Sequence, residues 1–580
     1  MPSSSPLPPS RLTPLNTASP TPTRPLVLYW CVMARRTRHN FALQHALATA
    51  RAFGRPLVVL EALRAGYPWA SDRLHRFALD GMADDAQAYA RAGVPHLAYV
   101  EPAPGAGAGL LETLAARAAL VVTDEFPEFF LPRMLAAAGR RLQAVGTRLE
   151  AVDGNGLLPL RLGEKAWSAA PHFRRQLQRA LPEQLHHVPE PEPLAAAASL
   201  PPVDAETAAW LDGVRARWPM AQQADPALLD QGEAGRRALA ALPIDHTVPP
   251  VPFAGGARKA ARALADFVDR KYDTYAARRN EAEDPSNSGL SPYLHWGFLS
   301  AHEVFAAVAE REGWSAERLA PRPTGKREGW WGMSSNGEAF LEELLTWREL
   351  SYNTAHFLPA HDTYASLPEW ARATLEAHRG DRRAELFGRD ELEAGATYDA
   401  LWNATQGQLR TDGRIHNYLR ILWGKKFLEW TTGPEEAFAH MVHLNNRWAL
   451  DGRNPNSTSG ITWVMGRYDH AWQERPVLGK VRPMSSVATA RKIRVDEYVR
   501  RYAATLPARA TSDRATADRA TADRATGVVE VEVGAPVVGD RMVGDGRGEP
   551  AVPAGARRTV RGRGPARGAG TAGLDVLPPG

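Results

Sequence analysis

The sequence predicts an α/β N-terminal domain built on a doubly wound parallel sheet, followed by an all-α C-terminal domain. Residues 25–160 alternate short aliphatic runs with Ala-rich segments of helical spacing, which is typical of parallel strands joined by helical crossovers. Residues 257–503 show one helical pattern after another and few β-branched runs. These two patterns place the change of architecture between residues 160 and 257.

The first region contains five short apolar runs that we interpret as strands, at residues 25–30, 56–60, 96–100, 120–123 and 149–152. The segments 41–53 and 76–92 carry helical spacing and serve as crossovers. No GxGxxG fingerprint follows the first strand, where Cys31 to Arg36 stand instead. The fold alone therefore does not indicate dinucleotide binding.

The second region contains amphipathic segments that we interpret as helices, at residues 339–356, 369–379, 397–408, 416–430 and 434–444. Three further segments have a different composition. Residues 1–24 are rich in Pro, Ser and Thr, and residues 504–580 contain near-identical pentads, so we expect a disordered leader and a disordered low-complexity tail. Residues 161–256 are rich in Pro and Ala, which indicates an interdomain linker with some surface helix.

Composition excludes several classes of protein. The single Cys31 rules out an intramolecular disulfide, a CxxC redox pair and a four-thiolate iron–sulfur site. No apolar run approaches the roughly 18 residues of a spanning helix, so we expect no membrane partner. The single cysteine fits an intracellular, cytoplasmic protein, and we expect a monomer. A net charge of +5 from 70 basic and 65 acidic residues does not by itself indicate a nucleic-acid partner.

A loop of small polar residues precedes a predicted helix at residues 287–294 (NSGLSPYL). Backbone N–H groups in such a loop can hold an anion such as a phosphate. The alternative is a Ser cap with Pro in the first helical turn. Taken alone, the segment favours the cap.

Two aromatic patterns have a functional and a packing interpretation. Glu343 and Trp347 stand at i and i+4, so a carboxyl group lies beside an indole on which a base could stack. Trp423 and Trp430 share a helix face, with Trp402 on the preceding helix, and such a row can pass electrons in short hops. For both patterns the alternative is ordinary core packing.

Polar residues near the Trp row suggest a buried site. Arg420 and Asp451 are a candidate ion pair, and Asn445 supplies a neutral hydrogen-bonding group. His440 and His443 lie close together, but no further acidic or His cluster completes a metal site, so we expect no metal.

Six segments, in this order, resemble the photolyase and cryptochrome family, and within it the class II cyclobutane pyrimidine dimer photolyases: 293–297 (YLHWG), 340–350 (FLEELLTWREL), 398–406 (YDALWNATQ), 413–430 (GRIHNYLRILWGKKFLEW), 444–456 (LNNRWALDGRNPN) and 472–482 (WQERPVLGKVR). Upstream, 123–133 (TDEFPEFFLPR) and 152–159 (VDGNGLLP) resemble the same class. The resemblance covers about residues 25–502. Gly289, Gly424, Ile415 and Asn417 depart from the usual pattern.

The resemblance implies an α/β antenna domain and an all-α FAD-binding domain. It also implies a set of FAD contacts: Tyr275, Asn287, Ser288, Gly289, Leu290, Ser291, Trp402, Asn417, Arg420, Asn445 and Asp451. In that set Arg420 and Asp451 would form an ion pair beside the flavin. An antenna chromophore of the deazaflavin, folate or flavin type would bind the first domain.

The resemblance further implies that Glu343 hydrogen-bonds the dimer bases, while Trp347 and Trp463 stack on the flipped dimer. Trp402, Trp423 and Trp430 would form the photoreduction chain. The residues expected to contact DNA are Arg467, Trp472, Arg475, Lys480 and Arg482.

The implied function is light-driven repair of cyclobutane pyrimidine dimers in ultraviolet-damaged DNA, by electron transfer from photoexcited reduced FAD. Two alternatives stay open, a cryptochrome-like blue-light sensor and an enzyme for (6-4) photoproducts. Glu343, Trp347 and Trp463 favour repair, because a sensor needs no base-stacking clamp. The paired histidines expected of a (6-4) enzyme are not recognisable.

Overall fold

Six strands form one sheet in the computed structural model, which describes residues 7–503 and Thr505 except residues 231, 284 and 285. The strands are β1 (Leu12–Pro14), β2 (Leu26–Cys31), β3 (Leu57–Leu63), β4 (His96–Val100), β5 (Ala118–Asp124) and β6 (Leu149–Val152). Their order across the sheet is β1-β6-β5-β2-β3-β4. The antiparallel pairing of β1 with β6 stands at one edge, and the other pairings are parallel.

The central strands are buried on both faces, which explains their continuous aliphatic sequences. The strand order reverses between β5 and β2, so the ends of these two strands form the switch point of the sheet. There Asp124 accepts hydrogen bonds from the N–H groups of Val32, Met33 and Ala34 at 2.7, 3.0 and 3.1 Å. The chain's own carboxylate thus takes the anion position, and this loop does not fit a dinucleotide pyrophosphate.

The remaining regular elements of the described chain are mostly α-helices. They are α1 (Phe41–Phe53), α2 (Asp72–Arg91), α3 (Leu110–Ala116), α4 (Leu131–Ala144), α5 (Ala170–Gln184), α6 (Ala205–Arg217), α7 (Ala221–Ala224), α8 (Glu233–Leu239), α9 (Ala257–Asp266), α10 (Tyr275–Arg278), α11 (Ser291–His295), α12 (Ala301–Arg311), α13 (Ser335–Leu341), α14 (Arg348–Phe357), α15 (Glu369–Ala377), α16 (Arg389–Ala394), α17 (Ala400–Asp412), α18 (Asn417–Trp430), α19 (Pro434–Trp448), α20 (Pro455–Val464), α21 (Ser486–Lys492) and α22 (Asp496–Ala503). The predicted fold class, α/β followed by all-α, is confirmed. No helix in the described part of the chain is long and apolar enough to cross a membrane.

The segment that precedes β2 differs from the expected disordered leader. β1 pairs with β6, and Arg11 is fully buried. The Arg11 guanidinium donates to the carbonyl oxygens of Asp153, Gly156 and Leu157 at 3.1, 3.1 and 2.7 Å. These bonds to one loop hold the segment in place, so the expectation fails for residues 7–24.

The region expected to be a linker is also largely packed. Phe173, Leu177 and Leu181 on α5 are buried in the same core as the helices that follow. Arg174 pairs with Glu342, with Nε 2.9 Å from Oε2. The described residues form one compact unit, and the proposed domain boundaries stay a prediction. The predicted tail, apart from Thr505, lies outside the described residues.

Glu349 on α14 connects the sheet region to the helical region. Its carboxylate accepts the N–H groups of Leu157 and Leu158 at 2.8 and 3.0 Å. Gly156 is required beside it, because a Cβ there would lie 2.6 Å from the Glu349 carboxyl carbon. Burial raises the pKa of Glu349 to about 7, against the opposing effects of Arg348 and of the two N–H groups.

We expect Glu349 to make folding stability depend on pH. Because its folded pKa of about 7 lies above the ordinary value of 4.5, its favourable contribution is complete below pH 4.5 and is lost as the pH rises through 7. Glu349→Gln carries no titrating group there. The free energy of unfolding of the wild type, measured by urea titration, should fall relative to that of the variant as the pH rises, by an amount on the order of a few kcal/mol. Parallel pH profiles would contradict the assignment.

Candidate functional site

A π-helical segment, Glu342–Trp347, joins α13 to α14 and carries two of the predicted site residues. Single π turns are rare and frequently mark functional sites. Glu343 accepts a hydrogen bond from Arg279 Nη1 at 2.6 Å, and its side chain is 31% exposed. Desolvation raises the pKa of Glu343, while the nearby Arg279 charge lowers it. The carboxyl group is therefore oriented by a cation and still reachable.

Arg279 is one candidate site residue that the sequence analysis missed. Besides Glu343, its guanidinium lies 5.8 Å from the ring centroid of Tyr275, one turn earlier. Its backbone carbonyl is 3.1 Å from Nε2 of His416, which stands directly before α18. The i, i+4 spacing of Tyr275 and Arg279 was a usable signal, but the pairing with Glu343 depends on tertiary structure.

Contacts continue from Trp347 to α20. The Trp347 ring is 6.5 Å from the Tyr468 ring, centroid to centroid, in an edge arrangement. The Tyr468 hydroxyl is 2.6 Å from Thr354 Oγ1 and 3.2 Å from Ser459 Oγ. Ser459 lies one turn before Trp463 on α20. These contacts tie the segment that carries Glu343 and Trp347 to α20, the helix that carries Trp463.

Arg420 and Asp451 form the predicted ion pair. Arg420 Nη2 lies 3.2 and 3.3 Å from the two Asp451 oxygens, and both side chains are largely buried. Burial would raise the pKa of Asp451, but the Arg420 charge and a hydrogen bond from Ser291 hold it below its ordinary value. Ser291 begins α11, so the pair also contacts the end of the predicted phosphate loop.

The predicted phosphate loop has the geometry of an anion site. Gly289 has φ +66°, and a Cβ there would lie 2.8 Å from Arg414 Nη1. α11 begins without a side-chain cap, which disfavours the Ser-cap alternative. The Ser288 hydroxyl accepts only a long 3.4 Å bond from Leu290 N. A left-handed Gly, uncapped N–H groups and the Arg414 guanidinium together suit a phosphate.

Arg414 also escaped the sequence analysis. It stands within the recognised segment 413–430, yet nothing in its spacing relates it to residues 287–291, because the two loops meet only in the folded chain. Asn287 is half-buried on that loop, and Asn417 is exposed at the start of α18. Both stay predicted cofactor contacts.

Asn445 is buried on α19 and held in a fixed orientation. Its Nδ2 donates to Ser457 Oγ at 2.8 Å and to Asn446 Oδ1 at 3.1 Å. With both contacts made through the amide nitrogen, the carbonyl oxygen has a defined direction. This arrangement agrees with a positioning role next to a ligand.

The predicted Trp row is a contiguous buried array. Trp402 Nε1 donates to the Trp423 carbonyl at 2.9 Å, and the rings of Trp402 and Trp430 are 5.2 Å apart in an edge arrangement. Trp423 Nε1 donates to Gln406 at 2.9 Å. Trp402 is 0% exposed and enclosed by these neighbours and Phe427. Trp402 is thus fully enclosed and lacks the exposed surface that the predicted cofactor contact would require.

The predicted DNA contacts divide into exposed and buried residues. Trp472 is exposed, and the Arg482 guanidinium lies 4.9 Å from its ring and 5.9 Å from the Trp463 ring. Arg475 and Lys480 are exposed on the same loop. Arg467 is different, because it is buried and donates to Ser366 and Thr462. Arg467 therefore braces a loop and does not face a phosphate backbone.

The two histidines set aside in the sequence contact other groups. His440 Nε2 lies 3.5 Å from a Glu436 oxygen, and His443 accepts from Trp69 Nε1 at 3.4 Å. Within the described residues, no group of three or more His, Cys, Asp or Glu side chains could hold a metal ion.

The fold is that of the photolyases. It matches the crystal structure of a class III photolyase from Agrobacterium tumefaciens with a TM-score of 0.57 and 17% identity, over 83% of this chain and 86% of that one. No model of a protein family matches the chain.

Curated relatives establish the family. The chain is 30% identical to the deoxyribodipyrimidine photo-lyase of Methanothermobacter thermautotrophicus, over 85% of this chain and 97% of that protein. It is 32% identical to the protein of the same name from Oryza sativa subsp. japonica, over 82% and 86%. The chain belongs to the deoxyribodipyrimidine photolyase family, which confirms the family and the enzyme predicted from the sequence.

We expect Arg279→Met to destabilise the protein by about 2 kcal/mol, because it leaves the Glu343 carboxylate without its cation. Urea unfolding measures the loss. In the double variant Arg279→Met/Glu343→Gln, the cost should be smaller than the sum of the single costs, since the stranded charge is gone. Additive costs would show that the two side chains do not interact.

Proposed function

We propose that the protein repairs cyclobutane pyrimidine dimers in DNA, using light and a bound reduced FAD, as a class II photolyase. The observation that carries this proposal is the set of contacts that joins Tyr275, Arg279 and Glu343, one helical turn before Trp347, whose ring contacts Tyr468 beside α20. The Arg279 carbonyl contacts His416, directly before α18, so these residues connect the helix that carries the buried Arg420–Asp451 pair, suited to a flavin, with aromatic side chains suited to a nucleobase.

The residues present fit FAD. Gly289 and Arg414 provide room and charge for a phosphate, and the Arg420–Asp451 pair and Asn445 provide a buried polar wall. Within the described residues, buried His416 Nδ1 has no hydrogen-bond partner, which suits a site whose ligand completes the contacts. FAD would supply a light-absorbing one-electron donor, chemistry that side chains do not provide.

The chain's own residues would bind and orient FAD and the extruded dinucleotide, and would exclude water. The Arg420 cation favours negative charge beside it, and Asn445 offers a hydrogen bond of fixed direction. Trp347 and Trp463 would stack on an extruded dinucleotide, whose unstacking is cheap when the lesion has already distorted the duplex. Glu343 would hydrogen-bond the bases. Arg475, Lys480 and Arg482 would contact phosphates.

Two observations bear on the alternatives. The clamp of Glu343, Trp347 and Trp463 supports repair over a light sensor, since a sensor has no use for base stacking. In the described part of the chain, the ion-pair and ring contacts of these three side chains are with Arg279, Tyr468, Lys425 and Arg482, and none of these is one of the histidines that a (6-4) enzyme would need. The antenna chromophore stays a prediction, and its identity is unknown. At the switch point of the sheet, Asp124 occupies the anion position.

We expect Asp451→Ala to lose most of the bound FAD. The change leaves the Arg420 guanidinium unpaired in a buried position, which costs about 3 kcal/mol. Flavin released by denaturation, per mole of protein, measures the occupancy. Asp212→Ala, which removes a 74% exposed acid paired with Arg215 on α6, is the matched control and should keep full occupancy. Wild-type protein that is colourless and cannot be reconstituted with FAD would overturn the proposal.

We expect Trp463→Ala to weaken binding to dimer-containing DNA by about ten- to a hundredfold, since stacking on an aromatic ring contributes about 1–3 kcal/mol per base. Titration in the dark measures the affinity. Trp210→Ala is the control, because Trp210, on α6, packs against Arg117, which follows α3, and belongs to none of these contacts.

Glu343→Gln should act differently. The amide keeps the shape but loses the charge, so we expect the repair yield per photon to fall more than the affinity. FAD content should be preserved. If wild-type protein does not prefer dimer-containing over undamaged DNA, the repair function falls and the light-sensor alternative gains support.

A further inference from the structure

The Trp row does not stop at Trp430. Trp430 Nε1 donates a hydrogen bond to the Tyr398 hydroxyl at 3.0 Å, and the two ring centroids are 5.6 Å apart. Trp402, Trp423 and Trp430 are 0, 2 and 1% exposed, whereas Tyr398 is 50% exposed. We propose that Tyr398 is the terminal electron donor of this row, which rests on the proposed photoreduction of bound FAD.

Burial makes Trp430 a poor last member. Its ring is enclosed by Phe387, Trp402 and Tyr398, at centroid distances of 5.3, 5.2 and 5.6 Å. Its N–H faces the Tyr398 oxygen instead of water. An oxidised Trp430 therefore has no direct contact with a dissolved reductant, and its N–H reaches solvent through the Tyr398 hydroxyl. Tyr398 supplies both the contact and the route, because half of its surface meets water.

The position of Tyr398 is fixed by packing. Phe387 contacts both rings, 5.3 Å from Trp430 and 5.9 Å from Tyr398, and its N–H donates to the Trp430 carbonyl at 3.0 Å. Asp399, the next residue, caps α17 by accepting from Trp402 N at 3.0 Å. The helix that carries Trp402 and the tyrosine that meets solvent are therefore set by adjacent residues.

The proposed step transfers one electron and one proton from Tyr398. Under light, Trp423 gives one electron to bound oxidised FAD, and electrons from Trp402 and then Trp430 move along the row, which leaves Trp430 as a cation radical. One electron passes from the Tyr398 phenol to Trp430, and the phenolic proton passes to water. Trp430 returns to its neutral form with its N–H intact, and Tyr398 becomes a neutral phenoxyl radical. A thiol in solution restores it by donating a hydrogen atom and is itself oxidised to a thiyl radical.

The test compares the FAD-loaded wild type with Tyr398→Phe, which removes the hydroxyl and keeps the ring. Transient absorption and electron paramagnetic resonance after a light flash detect a phenoxyl radical, and a spin trap followed by peptide mass spectrometry locates it. We expect a radical adduct at Tyr398 in the wild type. In the variant we expect loss of the phenoxyl signal and a severalfold lower yield of FAD photoreduction with thiol present.

Two controls separate this role from a structural one. Tyr364→Phe removes a tyrosine hydroxyl that packs near Phe438, with ring centroids 6.4 Å apart and no indole among its ring contacts, and should leave both signals unchanged. Trp430→Phe should abolish the adduct at Tyr398 although the tyrosine is present. Repair by chemically reduced Tyr398→Phe protein should match the wild type, because the row only reduces FAD.

The outcomes are distinguishable. If the wild type photoreduces FAD but the Tyr398→Phe variant does so equally well, with the same radical spectrum, Tyr398 is not the terminal donor and the proposed function stands. If the wild type binds FAD but no radical forms on any Trp or Tyr, the row itself is core packing. A wild type that binds no FAD overturns the proposed function instead.

Discussion

The ion pair between Arg279 and Glu343 holds the candidate site together. Arg279 is the point where three elements meet, because its side chain contacts Tyr275 near the start of α10 and Glu343 in the π-helical segment, while its carbonyl contacts His416 before α18. α18 in turn carries Arg420 and Trp423. A shift of this one residue would therefore change the geometry of the Glu343 carboxyl group and of the Arg420–Asp451 ion pair together.

Three carboxylates close together in the chain have separate tasks, and burial decides which one is available for chemistry. Glu342 is 3% exposed and bound by Arg174, and Glu349 is 4% exposed and bound by the loop at Leu157. Glu343, between them in sequence, is 31% exposed and paired on one side. Because the first two anchor the helix to α5 and to the sheet region, the third can face a ligand from a rigid support.

The sequence predicted the elements whose character is local and missed those decided by tertiary contacts. β2 and β5 were found because buried parallel strands are continuous aliphatic runs. β1 was missed because three residues that end in Pro14 carry no such pattern, and its order comes from Arg11 and from pairing with β6. Likewise Arg414 and Arg279 acquire their roles only from partners distant in sequence. We expected Trp402 to contact FAD because its motif resembles that of the family. A motif match identifies the residue but does not indicate how deeply its side chain is buried.

Contacts from the sheet region help to position the candidate functional site, independently of any bound chromophore. Arg36, in the loop after β2, donates from Nη1 to the Gly297 carbonyl at 2.8 Å. Gly297 has φ +73°, and a Cβ there would lie 1.6 Å from the Met33 carbonyl oxygen, so the two loops are in direct contact. Gly297 closes the turn that follows α11, whose first residue contacts Asp451. The switch-point loop, in which Asp124 accepts three N–H groups, therefore helps to position the helix that begins at the predicted phosphate loop.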